Sequence, residues 1–367
     1  MDGPGRWDRG RTRHQVPRPK DLTRRESLIL VALVAALGAV FLLSLALGST
    51  AVPLRRVIAA LAGDPPPGDG AALVVQTIRL PRSLTAMLAG AALGIAGLQM
   101  QTLFRNPLAD PFALGISSGA SLGVALVVLG SGYGPATAFG ASMGFRGDAL
   151  VTSAAIVGAA LVLGLVLIVS SRIANPTTVL ILGLMFGYAV SAIVTVLVGA
   201  SQPERLQQWA LWGFGTFSGV TWERLRIFGP LTLLGLLIAA ATTKQLNALL
   251  LGENYARSMG LAVRRARLLT MLGASVLGAV VTAFCGPISF LGIAVPHLCR
   301  GLFGTSDHRV LVPAVVVMGG GVALVAQIVS LLPASAGVLP LNAVTSLMGA
   351  PVVVAVLLRS RRGAFAG

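Results

Sequence analysis

The sequence predicts an all-α integral membrane protein, a bundle of ten transmembrane helices with both the N- and C-terminus on the cytoplasmic side. Three observations predict it. Mean hydropathy is +0.85, higher than a water-soluble domain sustains. Apolar runs of membrane-crossing length recur along the 367 residues, of which 55% are hydrophobic and 11% charged. The formal charge is +16, and the basic residues gather in alternate connections, as cytoplasmic loops require.

Residues 1–27 read as a disordered basic cytoplasmic tail, because they combine arginines, prolines and glycines with no apolar run. The run Leu28 to Gly48 is too long for a signal-peptide core and reads as a retained first span. Further spans are expected at 84–104, 113–130, 149–170, 177–199, 227–243, 266–284, 289–303, 310–332 and 339–358, the eighth with the weakest pattern. The transmembrane domain therefore covers 28–360, and 361–367 form a second cytoplasmic tail. With the N-terminus inside, inner segments carry 20 Lys and Arg against 8 in outer segments; without the basic tail the inner count is 12.

Many of the 45 glycines fall in the spans, as in Gly90-x3-Gly94, Gly115-x3-Gly119-x3-Gly123 and Gly183-x3-Gly187, a spacing that lets helix backbones approach closely. Two polar segments exceed what a connection needs. The outer one, 200–226, carries Trp209, Trp212 and Trp222 and is expected to form a short interfacial helix. The inner one, 244–265, is expected to form two short helices, broken at Gly252 and ended at Gly260.

The residue inventory excludes several mechanisms. The lysines are Lys20 and Lys244, neither in a glycine-rich loop, so the chain has no phosphate cradle and is not expected to hydrolyse ATP itself. All twelve acidic residues fall in tails or loops, which leaves no intramembrane site for a coupling proton or sodium ion. A proton-coupled secondary transporter is the competing class, and this absence disfavours it. His297 has no carboxylate or cysteine cluster beside it and reads as a hydrogen-bonded core histidine rather than a catalytic one. Cys285 and Cys299 read as packing residues, and no cofactor or metal is expected.

Several motifs stand in order along the chain. They are Arg79-Leu-Pro-Arg82-Ser-Leu-Thr, Arg105-Asn-Pro-Leu-Ala-Asp-Pro111, Leu114-Gly-Ile-Ser-Ser-Gly-Ala-Ser121, Leu251-Gly-Glu253 with Ala256-Arg-Ser-Met-Gly260, Gly286-Pro-Ile-Ser-Phe-Leu-Gly292 with Val295-Pro-His297, and Val344-Thr-Ser-Leu-Met-Gly-Ala-Pro351. Over roughly residues 28–360 the sequence resembles the FecCD family of permeases, which import ferric siderophores, haem and cobalamin.

The resemblance implies a permease subunit of an ATP-binding-cassette importer in the cytoplasmic membrane of a bacterium. It pairs with a second permease subunit, identical or related, two cytoplasmic ATPases and an extracytoplasmic substrate-binding protein. An iron(III)–siderophore complex is the implied substrate, with cobalamin or haem as the alternative. Leu251, Gly252, Glu253, Ala256, Arg257, Ser258 and Gly260 carry over as the surface that fits a cleft on the ATPase. Physically, small residues permit close docking, and Leu249, Leu250 and Leu251 need burial.

Arg79 and Arg82 carry over as the residues that pair with carboxylates of the binding protein, for which the arginine fork is suited. Anchoring to lipid headgroups is the alternative. Some relatives have an acidic residue and a third docking arginine near the outer end of the ninth span, where this chain has Gln327 and Leu331; Arg224 or Arg226 are candidates to compensate. Candidates for the translocation path are Gln99, Gln101, Ser117, Ser118 and Ser121, although such residues also hydrogen-bond neighbouring helices. Asn175, Thr177 and Thr178 are expected near the cytoplasmic gate.

Overall fold

The computed structural model describes residues 23–48, 50–63, 68–130, 147–173, 175–332 and 337–364; side chains at 357 and 359–364 are outside that set. Most of the expected N-terminal tail, residues 1–22, and the last three residues of the C-terminal one lie outside the described residues. Among the described residues every regular element is helical.

Helix α1 (Arg24–Ala46) starts earlier than the apolar run because Thr23 and Glu26 form a capping box. The Glu26 amide donates to Thr23 Oγ1 (3.3 Å) and the Thr23 amide to Glu26 Oε2 (2.7 Å). A short outer helix, α2 (Leu54–Ala62), leads into α3 (Gly70–Phe104), which is 35 residues long. The span expected at 84–104 thus begins much sooner. A proline clashes with the preceding helical turn, and a π-helical turn at Val75–Arg79 precedes Pro81 and lets the helix run through.

The remaining elements are α4 (Ile116–Val128), α5 (Asp148–Ser170), α6 (Pro176–Gly199), α7 (Pro203–Gly213), α8 (Trp222–Ala241), α9 (Thr243–Leu250), α10 (Glu253–Ser258), α11 (Val263–Cys285), α12 (Leu291–Phe303), α13 (His308–Leu331) and α14 (Leu341–Ala364). Seven helices, namely α1, α3, α5, α6, α8, α11 and α13, are long and apolar enough to cross a bilayer, and α4, α12 and Leu341–Val356 of α14 are shorter apolar helices. Each expected span coincides with one of these, but ten full crossings do not follow from length alone. Helix α7 is the short outer helix expected from the tryptophans.

Helix α3 is the centre of the bundle. In its most apolar stretch 83% of residues are buried, against 11% in α1 and 22% in α6. It packs against α1, α8, α11, α12 and α13. The approach is set by glycines: a Cβ on Gly90 would stand 2.1 Å from the Gly319 carbonyl oxygen, and one on Gly97 would stand 1.7 Å from that of Gly292. Helices α4 and α5 meet the same way, with Gly119 against the Gly158 carbonyl at 2.5 Å and Gly123 against that of Ala154 at 2.0 Å.

Gly90→Ala is expected to destabilise the bundle by about 1–3 kcal/mol through overpacking and to lower its thermal midpoint in detergent. Gly38→Ala, where nothing lies within 4 Å of an added Cβ, should leave the midpoint unchanged.

Candidate coupling surface and translocation elements

The inner polar segment folds into α9 and α10, as its glycine punctuation predicts. Gly252, with φ 113°, holds a joint that needs glycine, and Gly260, with φ 84°, forms a left-handed joint that ends the second helix. Leu246, Leu249 and Ala256 are buried and seat the two helices on the bundle. Leu250 and Leu251 are instead exposed, 42% and 64%, and with Tyr255 and Met259 they form an apolar surface on the cytoplasmic side. Of the three leucines that need burial, Leu249 finds it within this chain, and Leu250 and Leu251 do not.

The segment is fastened by charge. Glu253 accepts from Arg267, whose side chain is 8% exposed, and from Arg257 on the next turn at 3.4 Å. Arg105, at the end of α3, donates to the Leu249 carbonyl (3.2 Å). Ser258 donates to the Tyr255 carbonyl (2.8 Å) and closes α10. Beside the pair lies a groove of about 710 Å³ lined by Phe104, Arg105, Thr177, Leu251, Glu253 and Tyr255 among others.

A buried polar cluster that sequence reasoning missed ties α9 to the bundle. The Asn247 amide group donates to Asp307 Oδ1 (2.6 Å), and Asn247 Oδ1 accepts from the His308 backbone amide (2.9 Å) and lies 2.8 Å from His308 Nδ1. His308 is 1% exposed and its Nε2 meets Thr102 Oγ1 of α3 at 2.9 Å. The available signal was Asp307 as N-cap of α13, a position that places His308 at the start of the helix. His297 is half-buried and meets the Pro107 carbonyl oxygen at 2.8 Å, as a structural histidine does.

The two outer arginines differ. Arg79 is 4% exposed; its guanidinium donates to the Leu45 and Ala46 carbonyls at 2.8 Å each and also to Thr50, so it closes the C-terminal end of α1. In this structure it is not presented for docking, a departure from the role carried over by resemblance. Arg82 is half-buried, with Nε lacking a hydrogen-bond partner. Arg224 is held internally by Thr152 Oγ1 (2.7 Å), the Gly219 carbonyl (2.7 Å) and the Phe284 ring (5.6 Å to its centroid), whereas Arg226 is exposed. Gln327 is buried and donates to Ser83 Oγ (3.4 Å).

Of the path candidates, Gln99 and Gln101 are buried fasteners between helices. Gln99 donates to Thr242 Oγ1 (3.3 Å); Gln101 donates to the Gly292 and Ile293 carbonyls (3.3 Å) and accepts from Arg300 (2.5 Å). Their amides are committed to α8, α9 and α12 rather than to a path. Ser117, Ser118 and Ser121 are half-exposed on α4. Asn175, Thr177 and Thr178 are exposed, Asn175 caps α6 by accepting from the Thr177 amide (2.9 Å), and Thr177 reaches the groove beside Glu253.

A glycine-packed helical bundle with a pair of short cytoplasmic helices fastened beneath it is the architecture of a membrane permease of the ATP-binding-cassette type. A model of the FecCD transport family matches residues 34–359, and the chain belongs to that family. It is 39% identical over 302 residues to the vitamin B12 import system permease protein BtuC of Klebsiella pneumoniae, covering 81% of this chain and 87% of that one. To BtuC of Salmonella typhi it is 36% identical over 330 residues, 88% and 96% of the two chains. A solved structure of a metal-chelate type ABC transporter in an inward-facing conformation matches with a TM-score of 0.78 at 27% identity, over 91% of this chain and 99% of that one. The chain is a multi-pass protein of the bacterial cytoplasmic membrane.

Arg79→Lys keeps the charge but loses the fork over the α1 carbonyls, and is expected to cost about 1–3 kcal/mol of stability. Thermal unfolding in detergent checks it; an Arg79→Lys protein as stable as wild type would return Arg79 to the docking surface.

Proposed function

We propose that the chain is the permease subunit of an importer for a bulky metal chelate, with an iron(III)–siderophore complex as the first reading. Cobalamin or haem, also metal chelates, are the second, and vitamin B12 permeases stand among the relatives. The observation that carries the importer reading is the exposed apolar surface of Leu250, Leu251, Tyr255 and Met259 on a rigidly fastened cytoplasmic element. Its partner is an ATPase whose nucleotide-driven closure moves α9 and α10. The permease makes and breaks no covalent bond; ATP is bound by that partner. A second permease subunit completes the path, and a binding protein delivers the chelate from outside.

Gly260 separates docking from folding, because nothing lies within 4 Å of an added Cβ and its φ is left-handed. Gly260→Asn suits that backbone while adding bulk, so it should leave expression and thermal stability near wild type and cut uptake about tenfold or more. Normal uptake in that variant removes the coupling assignment. Substrate identity is tested by uptake of labelled ferric siderophores, cobalamin and haem in cells with and without the gene. Loss of one siderophore supports the first reading, and loss of cobalamin alone replaces it with the second.

A further inference from the structure

The cytoplasmic ends of α5 and α11 enclose a smaller cavity of about 220 Å³, separate from the coupling groove. Its wall carries Arg172, Arg257, Arg264 and Arg267 beside Ser170 and Ser171. Two of the four guanidinium groups share the Glu253 carboxylate. Arg264 donates to the Ser171 carbonyl (2.8 Å), which occupies one donor and leaves its charge uncompensated. Arg172 is exposed and makes no ion pair among the described residues. Arg172, Arg257 and Arg264 are exposed and only Arg267 is buried, so the cleft presents an accessible wall of net positive charge that attracts an anion.

The surroundings define what the anion is attached to. Membrane-ward of these arginines, α5 exposes Leu161, Leu165 and Ile168 at the spacing of one helix face (71%, 45% and 64%), and α11 exposes Leu269, Leu272 and Val276 in the same way. An exposed apolar stripe on each helix leads down to a basic cleft at the inner boundary of the bilayer. The cavity is smaller than the roughly 300–1,000 Å³ pockets that hold drug-sized ligands, but it can hold a phosphodiester.

We propose that this cleft binds the phosphate headgroup of an anionic phospholipid of the cytoplasmic leaflet, with its acyl chains along the apolar stripes of α5 and α11. Guanidinium forks match phosphate oxygens, and basic clefts between transmembrane helices on the cytoplasmic side face the leaflet where anionic lipids are concentrated. The bound lipid neutralises the ends of α5 and α11 just beside Glu253, so it braces the root of the coupling element. Like the outward–inward assignment, this inference uses the positive-inside orientation and does not depend on the transported substrate.

The test is native mass spectrometry of the permease with its ATPases, released from vesicles of phosphatidylglycerol and phosphatidylcholine. Wild type should retain phosphatidylglycerol selectively and lose it as salt is raised. Arg172→Glu and the double variant Arg172→Glu/Arg264→Gln should lower that retention about tenfold. Arg172→Lys, which keeps the charge, should keep most of it, and Arg55→Glu on the outer side should not change it. Thermal unfolding in phosphatidylcholine alone verifies that each variant is folded, and salt-sensitive selective retention by wild type serves as the readout if a variant is not. Equal retention of both lipids by wild type overturns the proposal. So does stabilisation by inorganic phosphate with no lipid selectivity, which would mark a free-phosphate site. Loss of the ATPase with phosphatidylglycerol still bound would instead assign the arginines to the protein partner.

Discussion

Close backbone contact at glycine holds this bundle together. In a bilayer, apolar side chains gain nothing by leaving lipid for a neighbouring helix, so association rests on dispersion at short range and on hydrogen bonds between helices. Helix α3 brings its glycines to the carbonyl oxygens of α12 and α13, at distances that admit no Cβ at Gly90 or Gly97. The buried amides of Gln99 and Gln101 and the Thr102 hydroxyl follow on the same helix, and each reaches a different neighbour. The inner half of α3 is thus fastened on all sides, and its last residues meet α9 through Arg105.

The proposed coupling element inherits its rigidity from that anchorage. Helices α9 and α10 are too short to be stable alone, and they hold because Leu246, Leu249 and Ala256 are buried and Glu253 is paired with Arg267 at the root of α11. Through Asn247 and His308, α9 is also bonded to the start of α13 and thence to Thr102. A displacement of the exposed Leu251–Met259 surface is therefore passed to three long helices, α3, α11 and α13, with no flexible linker between. That is the mechanical requirement of the proposed coupling to an ATPase.

Much of this was legible in the residues. Apolar runs located the helices at every expected span, and Gly252 and Gly260 marked the joints of the coupling element. The extension of α3 to Gly70 was not legible, because proline is ordinarily a stop and the π-helical turn that accommodates Pro81 has no sequence signature. Nor was the role of Arg79: its motif position matches a docking residue, but the free carbonyls at the end of α1 become its partners only once the α1–α3 hairpin has folded. Gln99 and Gln101 show the same ambiguity, since a polar side chain in a span serves a path or a neighbouring helix and composition does not distinguish them.

In the proposed importer, transport energy enters through the cytoplasmic surface and not through an ion bound in the membrane. The most direct measurement is chelate uptake into proteoliposomes containing the permease with its ATPases and binding protein, with ATP supplied or withheld and the proton gradient intact or collapsed by an ionophore. Uptake is expected to require ATP on the α9–α10 side and to be indifferent to the ionophore. Uptake without ATP that vanishes when the gradient collapses would contradict it.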